Sequence, residues 1–540
     1  MAEIPSELVP PTGTVHRKDF GRDFLFGGST SAFQIEGGVE RDGRGKSIFD
    51  TFVEERGLYG EYGPDAVNHR EFYEIDVEHM RDIGFNSYRF SISWSRILPT
   101  GKKESRNQDG INFYKDLVKK IKAAGMEPMA TLLHFDPPQD LENAYFTFLK
   151  PEIVDDFCDY AEICFQEFGN DIKYWTTINE PWYVSYGGYI RAEIPPGYQA
   201  DKDYDTIQKE IDTKSGKSYP GDNQGSICPP FQCSNISSSS SSSDPAAKEF
   251  SPKDDSTLPP REQWPYIAGY YQLLAHAKAV KLYREKYEGS KGGKIGLNLV
   301  AQWYLPWEDT QENIDAAKRA MDFMLGWFMD PLYKGDYPEN MHKYVTKGFL
   351  PKLDKDLVQG TYDFVSLNYY TSLYVADFPN EGGDFVLDRR VNFFDRNPAG
   401  ELIGDEQGHG GWINKYPEGL LNVLVYLKEN YGDPEIYIHE NGFDDPNLPL
   451  ADRDALYDQK RLWYHHDHLL AVKDAIRKEV RVKGYFAWSL MDNLELAAGF
   501  GSRFGIIYVD YKDESRRRIP KLSSYWFKQF LANQPRESDA

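Results

Sequence analysis

Cysteine is scarce in this chain, 4 in 540 residues, which rules out a small domain stapled by disulfides. Cys158 and Cys164 lie in an amphipathic stretch and read as core thiols. Cys228 and Cys233 lie in a loop-like segment, where a local disulfide is open but unforced. No apolar run approaches the roughly 18 residues of a membrane helix, and the mean hydropathy is −0.63. Cations are outnumbered, 62 Lys and Arg against 85 Asp and Glu, and the net charge of −23 repels phosphate backbones and anionic lipid. Neither nucleic acid nor a membrane surface is therefore expected as a partner. A Gly-rich phosphate loop is missing, and no cofactor is expected. The opening MAEIPSELVPPTGTV lacks a charged-then-apolar leader and the closing PRESDA lacks a retention or peroxisomal signal, so the chain as given is expected in the cytoplasm.

What the chain does have is rings: 11 Trp, 37 Tyr and 32 Phe, enough for a heavy core or a ring-lined cleft. Eight β-rich runs stand at 22–34, 87–94, 127–135, 172–179, 294–303, 364–371, 435–440 and 482–490. Between them lie stretches such as 111–125, 153–169 and 417–432, apolar at helical spacing and each ending in a glycine suited to a helix C-cap. Strand–helix alternation repeated eight times predicts an α/β fold, a single (β/α)8 TIM barrel over 20–530 with tails at 1–19 and 531–540. Residues 197–262 break the rhythm, being polar and carrying seven consecutive serines at 237–243. Such a stretch cannot offset its ordering entropy by burial, so a flexible insertion after the fourth strand is expected. A gate or partner site is the other reading. The sequon Asn235-Ile236-Ser237 stays silent without secretion.

Barrel chemistry sits where strands end. The fourth strand runs into Thr177-Ile178-Asn179-Glu180-Pro181 and the seventh into Ile438-His439-Glu440-Asn441-Gly442. A lone glutamate there is usually a solvated loop residue, but two facing each other across a barrel mouth are what glycosidic cleavage needs. Tyr464 to His468 places His465 and His468 one helical turn apart without the glutamate of a metalloprotease motif, so ring packing on a helix surface is expected, and no metal. Arg516-Arg517-Arg518 reads as a solvated loop.

Thr177–Pro181 with Glu440–Gly442 resembles the TxNEP and ENG signatures of family 1 glycoside hydrolases, the retaining β-glucosidases. The likeness runs from about Phe20 to Phe530 and includes 31–37, 87–99, 322–338 and 362–372, all similar to plant members. It implies Glu180 as acid/base and Glu440 as nucleophile, acting on a small-molecule glucoside. Arg89 corresponds to an arginine beside the nucleophile, though a purely structural salt bridge has the same geometry. Tyr370 corresponds to a tyrosine that donates to the nucleophile, with Asn368 as its neighbour; barrel filling is the alternative for both. Gln34, His134, Asn179 and Glu495 correspond to sugar contacts, Trp488 to the indole beneath the sugar, and Trp412 to a wall of the aglycone site.

Three positions depart from the family. Phe135 stands for a Trp, His439 for a Thr, and Leu496 for a Trp that bonds a glucose hydroxyl; that lost bond is worth about 0.5–1.5 kcal/mol. His439 depresses the Glu440 pKa if protonated, and only packs if buried and neutral. The long loop after strand four and Glu495-Leu496 resemble the ipecac alkaloid β-glucosidases, whose relatives act on strictosidine. Hydrolysis of a monoterpenoid-derived alkaloid glucoside is the resulting expectation. The rivals are a non-catalytic sugar-binding scaffold, motivated by the three departures, and a transglucosidase. A homo-oligomer is left open.

Overall fold

The computed structural model describes residues 15–200, 202, 204, 207, 257–288, 292–496 and 498–532. Cys228, Cys233, the sequon, the serine run and most of the 197–262 insertion lie outside the described residues.

Eight strands form the barrel: β1 (Leu25–Ser29), β2 (Ser87–Ser91), β3 (Glu127–Leu133), β4 (Tyr174–Asn179), β5 (Lys294–Pro306), β6 (Phe364–Asp377), β7 (Ile436–Asn441) and β8 (Val482–Trp488). Each is parallel to its neighbours, and the ring closes where β8 pairs with β1. The strands are buried almost throughout, as parallel strands covered by helices must be. A short strand, Val391–Phe394, adds antiparallel to the far end of β6.

The helices follow from capping and periodicity. In Gln108–Ala123, Asn107 accepts from the Asp109 amide, and Ile111, Tyr114, Leu117, Val118 and Ile121 recur on one buried face. Gly125 and Gly432 follow their helices at φ of 79° and 71°, as C-cap chemistry requires, whereas Gly169 keeps a right-handed φ of −64°. The first strand is shorter than expected: Ala32–Ile35 turns helical, and so does Trp94–Ile97 after β2. Apolar alternation alone does not separate a strand from the buried helical turn that follows it.

The barrel is floored by Met129, Phe364, Tyr437 and Phe486, a packed apolar layer on which the polar mouth rests. Cys158 and Cys164 are free thiols, the second fully buried. His465 and His468 are buried inward, not on a helix surface: His465 Nδ1 lies 2.8 Å from the Tyr485 hydroxyl, and His468 packs 3.9 Å from the Tyr464 ring. No cluster of metal-ligating side chains occurs among the described residues. The arginine triplet is only partly solvated, because Arg518 is buried against Asp76 at 2.8 Å and caps the Val67 carbonyl at 2.7 Å. No helix among the described residues is long and apolar enough to cross a membrane.

Candidate active site

Both glutamates reach the barrel mouth through an extra residue in their strand. On β7, Tyr437 and His439 face the lumen, so strict alternation would turn Glu440 outward. A bulge prevents this: Leu367 of β6 pairs with Ile438, but the next residue, Asn368, pairs with Glu440. On β4, Tyr174 faces the lumen while Thr177 points out to His276 at 2.7 Å. Three steps from Thr176 to Asn179 are matched by two on β5, from Gly296 to Asn298, which turns Asn179 inward. Glu180 follows with φ of 46°, held by its amide on the Asn298 carbonyl at 2.9 Å, and Pro181 starts the next helix. The glycine after Glu440-Asn441 is dictated by crowding, since a Cβ on Gly442 would lie 1.8 Å from the Trp488 carbonyl oxygen.

Glu440 meets two donors. Arg89 Nη1 lies 2.5 Å from its Oε1, and the Tyr370 hydroxyl donates to Oε2 at 2.7 Å. Arg89 stands mid-strand on β2 and is fully buried, so its charge acts at low dielectric. Glu180 meets one donor, Asn368 Nδ2, at 2.5 Å from Oε1. Asn368 thus serves Glu180 and not the nucleophile candidate. Burial, then the charge of Glu440, pushes the Glu180 pKa up to about 8, against smaller pulls from Asn368 and Arg89. Glu180 is therefore a proton-bearing acid at neutral pH beside an ion-paired carboxylate.

The amides between them are oriented by Arg89. Its Nη2 donates to Asn179 Oδ1 at 2.7 Å, so Asn179 Nδ2 faces His134 Nε2, 3.4 Å away. His134 is neutral, its pKa carried well below the usual value by burial and then by Arg89. Accepting at Nε2 leaves its proton on Nδ1, a buried donor without a protein partner among the described residues. The His134 ring stacks on Trp488 with centroids 5.8 Å apart.

Glu495 is also buried, and neither carboxyl oxygen has a hydrogen-bond partner among the described residues. Burial drives its pKa well up, and the charges of Asp444 and Glu440 add to this, against pulls from the nearby Asn493 and Trp488 side chains. Its loop is clamped from behind: Asp492 accepts from Arg503 at 2.5 Å and from Lys521 at 2.7 Å, both buried. Gln34 is more committed to the protein than expected. Its Nε2 donates to Asn493 Oδ1 at 2.9 Å and to the Leu494 carbonyl at 2.7 Å, and Ser31 donates to its Oε1 at 2.6 Å. Only one acceptor lone pair is left for a ligand. Trp412 packs 5.6 Å from the Tyr370 ring in a cluster with Trp488. Leu496 is buried in the apolar core and offers no donor.

His439 resolves to the packing alternative. It is fully buried among Phe364 and Phe486, at 6.2 and 5.7 Å, and burial holds its pKa well below the usual value. Sequence reasoning missed Asn298, whose Nδ2 donates to Asn179 Oδ1 at 2.5 Å and to Asn368 Oδ1 at 2.8 Å. Its one signal was a polar residue in the apolar run Ile295–Ala301.

The chain is similar to known proteins along nearly its whole length. The sequence profile described as Glycosyl hydrolase family 1 matches residues 16–218 and 247–535. Beta-glucosidase 12 of Oryza sativa subsp. indica is 42% identical over 96% of this chain and 93% of its own length. Raucaffricine-O-beta-D-glucosidase of Rauvolfia serpentina is 41% identical over 95% of this chain and 91% of its own. Among solved structures, a rice β-glucosidase variant in a covalent complex with Glc superposes with a TM-score of 0.81 at 36% identity, covering 96% of this chain and 99% of that one.

Proposed function

The chain belongs to glycosyl hydrolase family 1 and is a retaining β-glucosidase, and from that premise we propose how its residues divide the reaction and which glucosides it takes. The observation that carries the division is the arginine: Arg89 binds Glu440 and leaves Glu180 with a carboxamide. Glu440 attacks the anomeric carbon. Glu180 passes its proton to the glycosidic oxygen as that bond breaks, and the aglycone leaves with it. Glu180, now a carboxylate, removes a proton from water as the water attacks the glucosyl–Glu440 ester. β-Glucose departs, and both side chains return to their starting charge. Tyr370 holds Glu440 in line, His134 Nδ1 and the unpartnered Glu495 oxygens supply the sugar with a donor and acceptors, and Trp488 carries its apolar face.

The aglycone is a bulky plant specialised metabolite, a monoterpenoid-derived alkaloid. This reading is supported by the raucaffricine glucosidase relative. A panel of alkaloid, iridoid and simple phenolic β-glucosides tests it. We expect kcat/KM on an alkaloid glucoside to exceed that on the phenolic by at least about tenfold, the scale of a few apolar pocket contacts. Preference for the phenolic or for a glucose disaccharide would overturn the substrate assignment while leaving the β-glucosidase intact.

A further inference from the structure

Asn298 of β5 is fully buried, lies at the register level of Asn179, and touches both halves of the site. Its main-chain carbonyl accepts from the Glu180 amide at 2.9 Å. Its side-chain Nδ2 donates to two carboxamide oxygens, Asn179 Oδ1 at 2.5 Å and Asn368 Oδ1 at 2.8 Å. Turned the other way, its Oδ1 would face those two oxygens, acceptor against acceptor, so the donor orientation is the only one that fits.

That orientation has a consequence for Glu180. A carboxamide has one oxygen end and one nitrogen end. By holding the oxygen of Asn368, Asn298 leaves Asn368 Nδ2 to face Glu180 Oε1, where it sits at 2.5 Å. A neighbour that presented Asn368 Oδ1 to Glu180 instead would set two acceptors against each other whenever the acid is ionised. We propose that Asn298 is a positioning residue of this reaction, locking the Asn368 amide so that it donates to the acid/base glutamate and leaves the other carboxyl oxygen to carry the proton to the substrate. The inference rests on the reading of Glu180 as the acid/base, and it adds a residue that never touches the sugar.

The groups that face Glu180 fix the sign of the effect. Burial and the charge of Glu440 from β7 favour its neutral form, and Arg89 from β2 opposes them. Tyr370 from β6 and the neutral His134 from β3 add no charge, and Asn368 from β6 stabilises the ionised form. Losing the Asn368 donor therefore raises the pH at which Glu180 loses its proton. In the glycosylation step an acid with a higher pKa is a weaker proton donor, which is felt most by aglycones that leave poorly.

Asn298→Leu, close to isosteric, removes both donors without opening a hole, and Asn298→Ala removes them with one. We expect either variant to move the alkaline limb of kcat/KM to higher pH. We also expect kcat on an alkyl glucoside to fall about tenfold or more while kcat on a nitrophenyl glucoside changes little. In an Asn368→Ala background the same substitutions should leave the limb where Asn368→Ala puts it, because Asn298 acts through that amide. A limb that does not move in a folded Asn298 variant, or a loss equal for both leaving groups, would overturn the proposal. Glu180→Gln separates this from failure of the underlying reading. If that variant keeps full rate on the alkyl glucoside, the acid/base assignment itself is wrong; if it loses rate and the Asn298 variants do not, only the positioning role falls.

Discussion

At the end of β7 a glutamate is met by a guanidinium and a phenol; at the end of β4 a glutamate is met by one carboxamide. Both strands carry an extra residue before the acid, and both acids are buried in the same mouth. The residue type and the backbone device are shared, so what differs is the neighbourhood. A single buried arginine among three carboxyl groups can neutralise one of them, and the geometry gives it to Glu440. Glu180, without a cation in contact, is held protonated at neutral pH, and burial pushes the Glu495 pKa in the same direction. On the proposed division of roles, the mouth holds a nucleophile and an acid at one pH without needing two kinds of residue.

The comparison breaks most visibly when either acid is neutralised. Glu440→Gln should lower kcat by about 10⁴-fold or more on every glucoside, as loss of a covalent nucleophile does. Glu180→Gln should cost about 10²–10⁴-fold on aglycones that leave poorly and far less on nitrophenol, since only the former need the proton. Steady-state rates on a leaving-group series separate the two.

A pH profile sharpens the contrast. Glu180 works as an acid only while protonated, and its pKa lies at about 8. We expect kcat/KM to hold through neutral pH and to fall by about tenfold per pH unit well above that value. Tyr370→Phe, which removes one of the two donors to Glu440, should cost about tenfold in kcat with the fold intact, the worth of one hydrogen bond to a charged group.

The smallest effect is on stability. A carboxyl whose pKa is raised on folding binds more protons in the native state than in the unfolded one between its ordinary value of 4.5 and about 8. Its contribution is fully present below the lower value and is lost as pH rises through the higher one. Glu180→Gln should therefore melt at a higher temperature than the parent protein at pH 8, and the difference should close towards pH 4. Equal melting temperatures at both pH values would mean that Glu180 is not held protonated.

Much of this was legible in the sequence for a physical reason. Strand–helix alternation and the burial of parallel strands leave a strong periodic trace, so the barrel and the strand ends that carry Asn179, Glu180 and Glu440 could be read directly. The bulges could not. Whether β4 carries one more residue than β5 depends on a register set by a strand more than a hundred residues away, and a bulge needs no special residue at Ile178 or His439. Asn298 was missed for a related reason: its role exists only through the oxygens of Asn179 and Asn368. Arg518 shows the opposite error: expected to face solvent, it spends its donors on a buried carboxylate and a main-chain carbonyl.

The central claim, that one arginine assigns different roles to two like residues, is tested most directly by labelling. A 2-deoxy-2-fluoro-β-glucoside with a good leaving group slows the second step, so the glucosyl ester accumulates and its position can be mapped by peptide mass spectrometry. The account predicts a single adduct on the peptide bearing Glu440. An adduct on Glu180, or none while turnover of the parent glucoside continues, would contradict it.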